Sequence, residues 1–240
     1  MGIFNVKLLE KKEIAQDTMA FIFEKPKDFA FKPGQCSDFT LLNPKETDEE
    51  GNIRAFSLAS APFEENLMIA TRMRNTAFKR CLKALPLGSE LKLDGPGGSF
   101  TLHRKEETPA VFLTGGIGIT PVRSILLQAA HDKLPHRIFL FYSNKSPETA
   151  AFLQELADLE KSNPNYSFIA TMTDMSQSHR EWRGHLGYVN AELLTEHVKD
   201  LSTPIYYICG PKGMVEAMST MLRDAKIDED NIRTEEFSGY

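Results

Sequence analysis

Three short stretches combine residue types that can hold and move charge. TGGIGITP, Thr114 to Pro121, follows the apolar run Ala110-Val111-Phe112-Leu113 and precedes a helical pattern. Gly115, Gly116 and Gly118 allow a tight turn and close approach to a bulky anion, and the helix expected near Pro121 offers unpaired amides and its positive dipole end. This is a dinucleotide pyrophosphate seat in outline, although its spacing is not GxGxxG. ICGPKGM, Ile208 to Met214, has the same strand-to-helix character. Two such turns on one sheet edge make a cofactor cleft, with Cys209 expected at its mouth; a lone cysteine is otherwise most often a small buried hydrophobe. The third stretch is RAFS, Arg54 to Ser57. Strand alternation puts Arg54 and Phe56 on one face and Ser57 on the other. A guanidinium beside an aromatic plane suits a nucleotide with a flat ring, such as a flavin, the arginine taking the diphosphate and the ring stacking.

The elements that must position these residues change rhythm half-way along the chain. FNVKLLE, TMAFIFEKP, GQCSDFTLL, RAFSLAS, LMIATRM and SELKLDG read as six short strands separated by turn residues such as Lys32-Pro33-Gly34 and Gly95-Pro96-Gly97-Gly98. One helix is expected from Thr76 to Leu85, with Phe78, Cys81, Leu82 and Leu85 on an apolar stripe. Six strands and a helix predict a closed or nearly closed antiparallel Greek-key barrel. After His103 strands and helices alternate. AVFL, RIFLFYS, SFIATMT, PIYYICG and NIRTEEF are strands, with a helix marked by Ser146 and Pro147 after the second and another begun by Pro211. That alternation predicts a Rossmann-like parallel sheet with helices on both faces and ligands at the C-terminal strand ends. The charged segment HRKEETP places the boundary between domains of residues 1–104 and 105–240.

Composition narrows the function classes. The 240 residues are 41% hydrophobic and 25% charged, enough for one large core or two modest ones. No apolar run reaches membrane-spanning length and the start is broken by charge, so the expectation is a cytoplasmic protein without a membrane span. A net charge of -5 argues against a nucleic-acid binder. Cys36, Cys81 and Cys209 lie far apart, without the spacing of a disulfide framework, a metal site or an iron–sulfur cluster. Arg72, Arg74, Lys79, Arg80 and Lys83 form a local basic cluster.

In this order, RAFS, LMIATRMRNTAF, LDGPGGSF, TGGIGITP, ICGPKGM and the terminal EEF resemble the ferredoxin–NADP reductase superfamily. The resemblance spans nearly the whole chain and implies an FAD-binding antiparallel barrel followed by a nucleotide-binding α/β domain. It implies that Arg54 binds the FAD diphosphate, Phe56 packs on the isoalloxazine in place of the usual tyrosine, and Ser57 lies near the flavin N5, with Ala55 on the same strand. Ile69, Ala70, Thr71 and Arg72 would add a second flavin strand, largely through backbone. Thr76, Ala77, Phe78 and Lys79 stand where the family has Gly-x-x-Ser/Thr at the phosphate-binding helix start, a departure in which backbone amides and the Lys79 charge would serve. Gly115, Gly116, Gly118, Thr120 and Pro121 would bind the nicotinamide dinucleotide, with Ser143 and Asn144 near its ribose and Cys209, Gly210 and Pro211 at the nicotinamide. Ser57, Cys209 and Glu235 are the implied catalytic residues. Phe237 or Tyr240 would cover the flavin.

The implied activity is transfer of electrons from NADPH or NADH through FAD to a separate acceptor, with no iron–sulfur domain expected after Tyr240. A small acidic electron-transfer protein, a ferredoxin or flavodoxin, is the first acceptor; the basic cluster would steer it. Lys145 favours a 2′-phosphate and Asp174 opposes it. The alternatives are a reductase component for an oxygenase, a free flavin or a quinone, and a non-enzymatic flavin-binding electron-transfer subunit.

Overall fold

The computed structural model describes residues 2–237. Its first half is one antiparallel sheet of β1 (Gly2–Ala15), β2 (Thr18–Glu24), β3 (Cys36–Leu41), β4 (Ile53–Ser57), β5 (Asn66–Arg72) and β6 (Glu90–Gly97), in the order β4-β3-β6-β1-β2-β5. All six expected strands are present. β1 is longer than its sequence pattern suggests because it serves two neighbours: Gly2–Lys7 pairs with β6 and Leu8–Ala15 with β2, with a register break between Leu8 and Glu10. Such a break bends a strand and lets it turn the corner of a barrel. The sheet curls around Phe21, Phe23, Phe39 and Leu91 but does not close, since β4 and β5 are its two unpaired edges.

The helix α1 (Ala77–Ala84) covers one end of this core. Thr76 caps it, its Oγ1 accepting from the Lys79 amide at 3.4 Å, and Phe78, Cys81 and Leu82 are the buried stripe. Leu85 falls just outside, at the C-cap.

The second half is a parallel sheet of β7 (Ala110–Gly115), β8 (Ile138–Asn144), β9 (Tyr166–Met172), β10 (His185–Leu186), β11 (Ile205–Pro211) and β12 (Ile232–Phe237), ordered β10-β9-β8-β7-β11-β12. Both faces are covered, so every residue of β7 is buried. The order reverses at β7, which has β8 on one side and β11 on the other. Ligands of doubly wound sheets bind outside the strand ends at that switch point.

The helices differ in detail from the sequence expectation. α2 (Ile119–His131) begins before Pro121, directly after a 3₁₀ turn of Gly116–Gly118. Ser146 and Pro147 open only another short turn, Pro147–Thr149; the chain then bends through Phe152 at φ 58° before α3 (Leu153–Asp158). β10 and α4 (Ala191–His197) were not expected. A two-residue strand has no periodicity to read, whereas the Asn190 cap of α4, accepting from the Leu193 amide at 2.9 Å, was a legible signal. α5 (Lys212–Asp224) starts where Pro211 indicates.

A buried polar knot ties the segment between β6 and β7 to the parallel sheet. The Tyr207 hydroxyl accepts from the His103 amide at 2.8 Å and from Arg233 Nη1 at 3.0 Å, and lies 3.0 Å from His103 Nδ1. His103 Nε2 lies 2.8 Å from the Thr108 carbonyl. A carbonyl only accepts, so the proton belongs on Nε2 and Tyr207 donates to Nδ1. Burial lowers the His103 pKa, which keeps this neutral tautomer. Tyr207→Phe leaves the His103 amide and Nδ1 without their partner, and urea denaturation should show a loss of about 1–3 kcal/mol.

Candidate functional site

The open seam between β4 and β5 holds a cavity of about 350 Å³. Its walls come from Arg54, Ala55, Phe56 and Ser57 of β4, from Ala70, Thr71 and Arg72 of β5, and from Thr76 and Lys79 at the start of α1. Ile117, Thr120 and Phe237 close it from the other half of the molecule. Unpaired strand edges with small side chains leave backbone groups available to a ligand. Phe56 presents a half-buried ring, braced by Phe78 at 5.8 Å and Phe39 at 6.0 Å between centroids. Ile69, Ala77 and Phe78 are almost wholly buried, and Ile69 and Phe78 belong to the barrel core, so only backbone at these positions is left for the cavity.

One end of the cavity is strongly cationic. Arg54, Arg72, Arg74 and Lys79 converge there, and Lys79 donates to the Arg72 carbonyl at 2.7 Å. Burial, then the charges of Arg74, Arg54 and Arg72, push the Lys79 pKa down to about 8. Arg72 Nε is buried without a hydrogen-bond partner. Arg54 lies over the Phe78 ring at 5.3 Å and is held by Asp48 at 3.0 Å and Glu50 at 2.8 Å. Asp48 also accepts the Ala77 amide at 3.1 Å, so a carboxylate already uses the first amide of α1. The expected contribution of that helix start to an anion therefore falls mainly to Lys79 rather than to the amides.

At the opposite end two edge strands from different sheets meet. Ser57, the last residue of β4, donates to Glu235 of β12 at 2.9 Å. Cys36 is the register partner of Ser57, and Cys209 of Glu235. Burial pushes the Glu235 carboxyl up, against the Ser57 hydrogen bond. Burial, and then Glu235 itself, push the Cys36 and Cys209 thiols up. The structure thus brings Ser57, Glu235 and Cys209 together. Cys209, however, is fully buried in the core of the parallel sheet, packed with Phe112 and Tyr207, rather than exposed at a cleft mouth.

A second cavity of about 490 Å³ lies at the C-terminal strand ends, bordered by Gly115, Gly116, Ser143, Asn144, Lys145 and Pro211. Asn144 is 5% exposed, yet neither its Oδ1 nor its Nδ2 has a partner, an unmet demand that a polar ligand would satisfy. Gly118 and Gly210 do not line it. They let the two loops touch: a Cβ on Gly118 would lie 2.5 Å from the Cys209 carbonyl oxygen and 2.7 Å from the Gly210 Cα. Gly116 adopts φ 53°. Pro121 is buried, and Thr120 lines the first cavity, its hydroxyl donating to the Ile117 carbonyl at 3.1 Å. Arg72 borders both cavities. Tyr188 and Met214 also line the second and were missed as site residues: Tyr188 stands in a loop without a motif, and Met214 read as helix stripe. Phe237 lines the first cavity, whereas Tyr240 lies outside the described residues.

Of the basic cluster, Arg74, Arg80 and Lys83 are exposed and Arg72 and Lys79 are half-buried. Arg72, Arg74 and Lys79 line the first cavity, and Arg80 is engaged by Glu46 through Nε at 2.8 Å and through Nη2. Among the described residues no helix is long and apolar enough to cross a membrane.

Residues 112–220 match the family described as "Oxidoreductase NAD-binding domain". The fold around them matches solved structures across both halves. It aligns with the ferredoxin NADP+ reductase from Neisseria gonorrhoeae with bound FAD and NADP, at TM-score 0.79 and 22% identity, over 98% of each chain. It aligns with an Amycolatopsis cytochrome P450 reductase at TM-score 0.81 and 22% identity, over 98% of this chain and 70% of that one. The chain thus shares the two-domain fold of these reductases, and its second half carries the match to the NAD-binding domain family. Curated relatives of the chain include a subunit of the Na(+)-translocating NADH-quinone reductase of Pseudoalteromonas atlantica, 27% identical over 232 residues, which are 90% of this chain and 56% of the relative. The corresponding protein of Pseudomonas aeruginosa is 29% identical over 235 residues, 89% of this chain and again 56% of the relative. The chain thus spans little more than half the length of these relatives.

The contact between Gly118 and the Cys209-Gly210 backbone has no flexible side chain that can yield. Gly118→Ala is expected to cost about 1–3 kcal/mol through overpacking. Denaturant titration should show that loss, and calorimetry with NAD+ should show weakened binding as the two loops part.

Proposed function

We infer that the chain is an FAD-dependent NAD(P)H oxidoreductase that passes electrons to a separate acceptor, with FAD in the first cavity and the nicotinamide dinucleotide in the second. The observation that carries this reading is the junction of the two cavities. They share Arg72, and the Ser57–Glu235 hydrogen bond sits at the end of the first cavity where the two sheets meet. When bound, FAD supplies the redox chemistry, taking a hydride from the reduced nicotinamide and handing the electrons on.

The chain's own residues bind, orient and hold protons. Arg54, Arg72 and Lys79 balance the diphosphate of FAD, and Phe56 supports its ring. Ala55, Ala70 and Thr71 offer small or polar walls along the seam, and Thr76 orders the helix start. Gly115, Gly116 and Pro211 let the second dinucleotide lie against the strand ends, where Ser143 and Asn144 can bond its ribose. Ser57 and Glu235, with Cys209 packed behind them, would hold a proton for a bound flavin ring. Phe237, which lines the same cavity, would cover a bound flavin ring. The functional divide follows the two sheets, residues 1–104 and 105–240.

The acceptor and the choice of dinucleotide are finer proposals. A ferredoxin or flavodoxin fits the family resemblance, with exposed Arg74, Arg80 and Lys83 to steer it, although Arg80 is paired with Glu46. A quinone is the second reading, favoured by the names of the curated relatives. NADPH is supported by Lys145 at the second cavity, NADH by those same names.

Anaerobic addition of NADH and NADPH in turn to the FAD-loaded protein should bleach the flavin absorbance within the dead time or seconds of mixing; an unbleached flavin with both would overturn the reading. Oxidation of the bleached protein by a panel of ferredoxins, flavodoxins and quinones then selects the acceptor. Lys79 gives FAD binding a pH signature. Its free-state pKa of about 8 rises when a diphosphate binds, so binding takes up a proton above that pH. FAD affinity should be flat below pH 8 and fall above it, by at most about tenfold per unit. Fluorescence titration should show the slope vanish in Lys79→Met, and Arg54→Ala should purify with less FAD.

A further inference from the structure

The two halves are held in register by a clamp separate from both cavities' floors. Between β4 and β5 the chain turns through residues 58–65, leaving directly after Ser57, and this turn lies against α2, which starts directly after the glycine loop. Arg123 of α2 is the centre of the contact, with only 4% of its side chain exposed. Its Nη1 donates to the Ala59 carbonyl at 2.7 Å, and Nη1 and Nη2 reach the two oxygens of Glu64 at 2.9 and 3.2 Å. On its other edge Nε and Nη2 reach Glu155 of α3 at 2.7 and 2.6 Å. Glu64 in turn accepts the Ala61 amide at 2.6 Å. Further along the same helix face, Ser124 donates to the Ser60 carbonyl at 2.7 Å, Gln128 accepts the Phe63 amide at 3.1 Å, and His131 stacks on Phe63 at 4.2 Å.

A planar guanidinium forked between two carboxylates has one good geometry, and a slip of the turn along α2 would break both arms of the Glu64 pair together. Buried ion pairs add little net stability compared with apolar packing; what they fix is register. Apolar contacts alone would let the two sheets slide with little penalty, because they are not directional. The clamp lies one short connection from Ser57 on one side and one from the Gly116–Thr120 segment on the other.

We propose that Arg123, gripped by Glu64 across the seam, is a positioning residue that sets the separation between the Ser57 wall and the glycine loop, and hence the fit of the nicotinamide against the flavin. The proposal rests on the flavin-dependent reading above. Glu155 grips the same guanidinium from within the parallel-sheet half, so it serves as a control for loss of one carboxylate charge beside Arg123.

Glu64→Gln and Glu155→Gln are compared as FAD-loaded proteins. Glu64→Gln should retain FAD, lose amide-exchange protection at 59–65 and along α2, and weaken the long-wavelength absorbance of NAD+ stacked on reduced flavin. Its flavin reduction in stopped flow should slow by about tenfold or more, since a misplacement of about 1 Å can cost a hundredfold. The KM for the dinucleotide should change far less. Glu155→Gln should keep the seam protection, the absorbance band and the rate. Equal effects in the two variants, or an unchanged band and seam protection in Glu64→Gln, would overturn the proposal. If Glu64→Gln does not fold, Glu64→Asp, which keeps the charge and shortens the arm, carries the same comparison. A wild-type flavin that neither dinucleotide bleaches refutes the functional reading instead, and the exchange data then decide the clamp by themselves.

Discussion

Apolar packing between the two sheets is confined to a few contacts, and directed polar contacts stand beside it. The barrel core around Phe21, Phe23 and Phe39 and the cores on either face of the parallel sheet are separate clusters. A small patch of Ala20, Ile22, Ala70 and Ile117 reaches across, and Phe100, Ile14 and Ala15 from the first half pack on the parallel-sheet core. Polar contacts that join the halves include the Gln16 amide on the Glu148 carbonyl at 2.8 Å, Ser124 on Ser60, Arg123 on Glu64 and Ser57 on Glu235. Such contacts fix geometry without filling space, which is why the seam can remain open as two cavities lined by Ala55, Ala70, Gly115 and Gly116. A seam packed with leucine and phenylalanine would contribute more to stability and would leave no room for a ligand.

The parts of this arrangement that depend on period or on backbone freedom were legible in the sequence. Strand alternation located every barrel strand, and the switch to strand-helix alternation located the parallel sheet. The glycines of TGGIGITP and the strand-to-helix character of ICGPKGM identified two loops whose backbones prove to be in contact. What depends on long-range side-chain pairing was not legible. Asp48 reaching the Ala77 amide spans 29 residues, and Arg123 reaching Glu64 spans 59, with no local pattern to announce either. Cys209 was expected at the cleft mouth because its loop is there, yet strand alternation continues through it and turns its thiol into the core with Tyr207. Thr120 shows the same limit: its motif belongs to one cavity, but the first turn of α2 aims its neighbourhood at the other.

The first cavity carries an electrostatic gradient along its length, and the gradient follows from what each end can pair. At the α1 end three arginines and Lys79 share a space in which Asp48 and Glu50 engage only Arg54, so cationic charge is in excess and Lys79 yields its proton most readily. At the β12 end the imbalance is reversed. A carboxyl buried between two strand edges has one hydroxyl donor and two thiols for neighbours, and no cation within reach of its hydrogen bonds among the described contacts. Burial therefore favours its protonated form, and its negative charge, where present, discourages ionisation of Cys36 and Cys209. A ligand with a polyanionic tail and a ring that takes up and releases protons has only one favourable way to lie in such a space, tail toward Lys79 and ring toward Glu235. That orientation puts the ring where β4 and β12 meet, at the Ser57–Glu235 hydrogen bond.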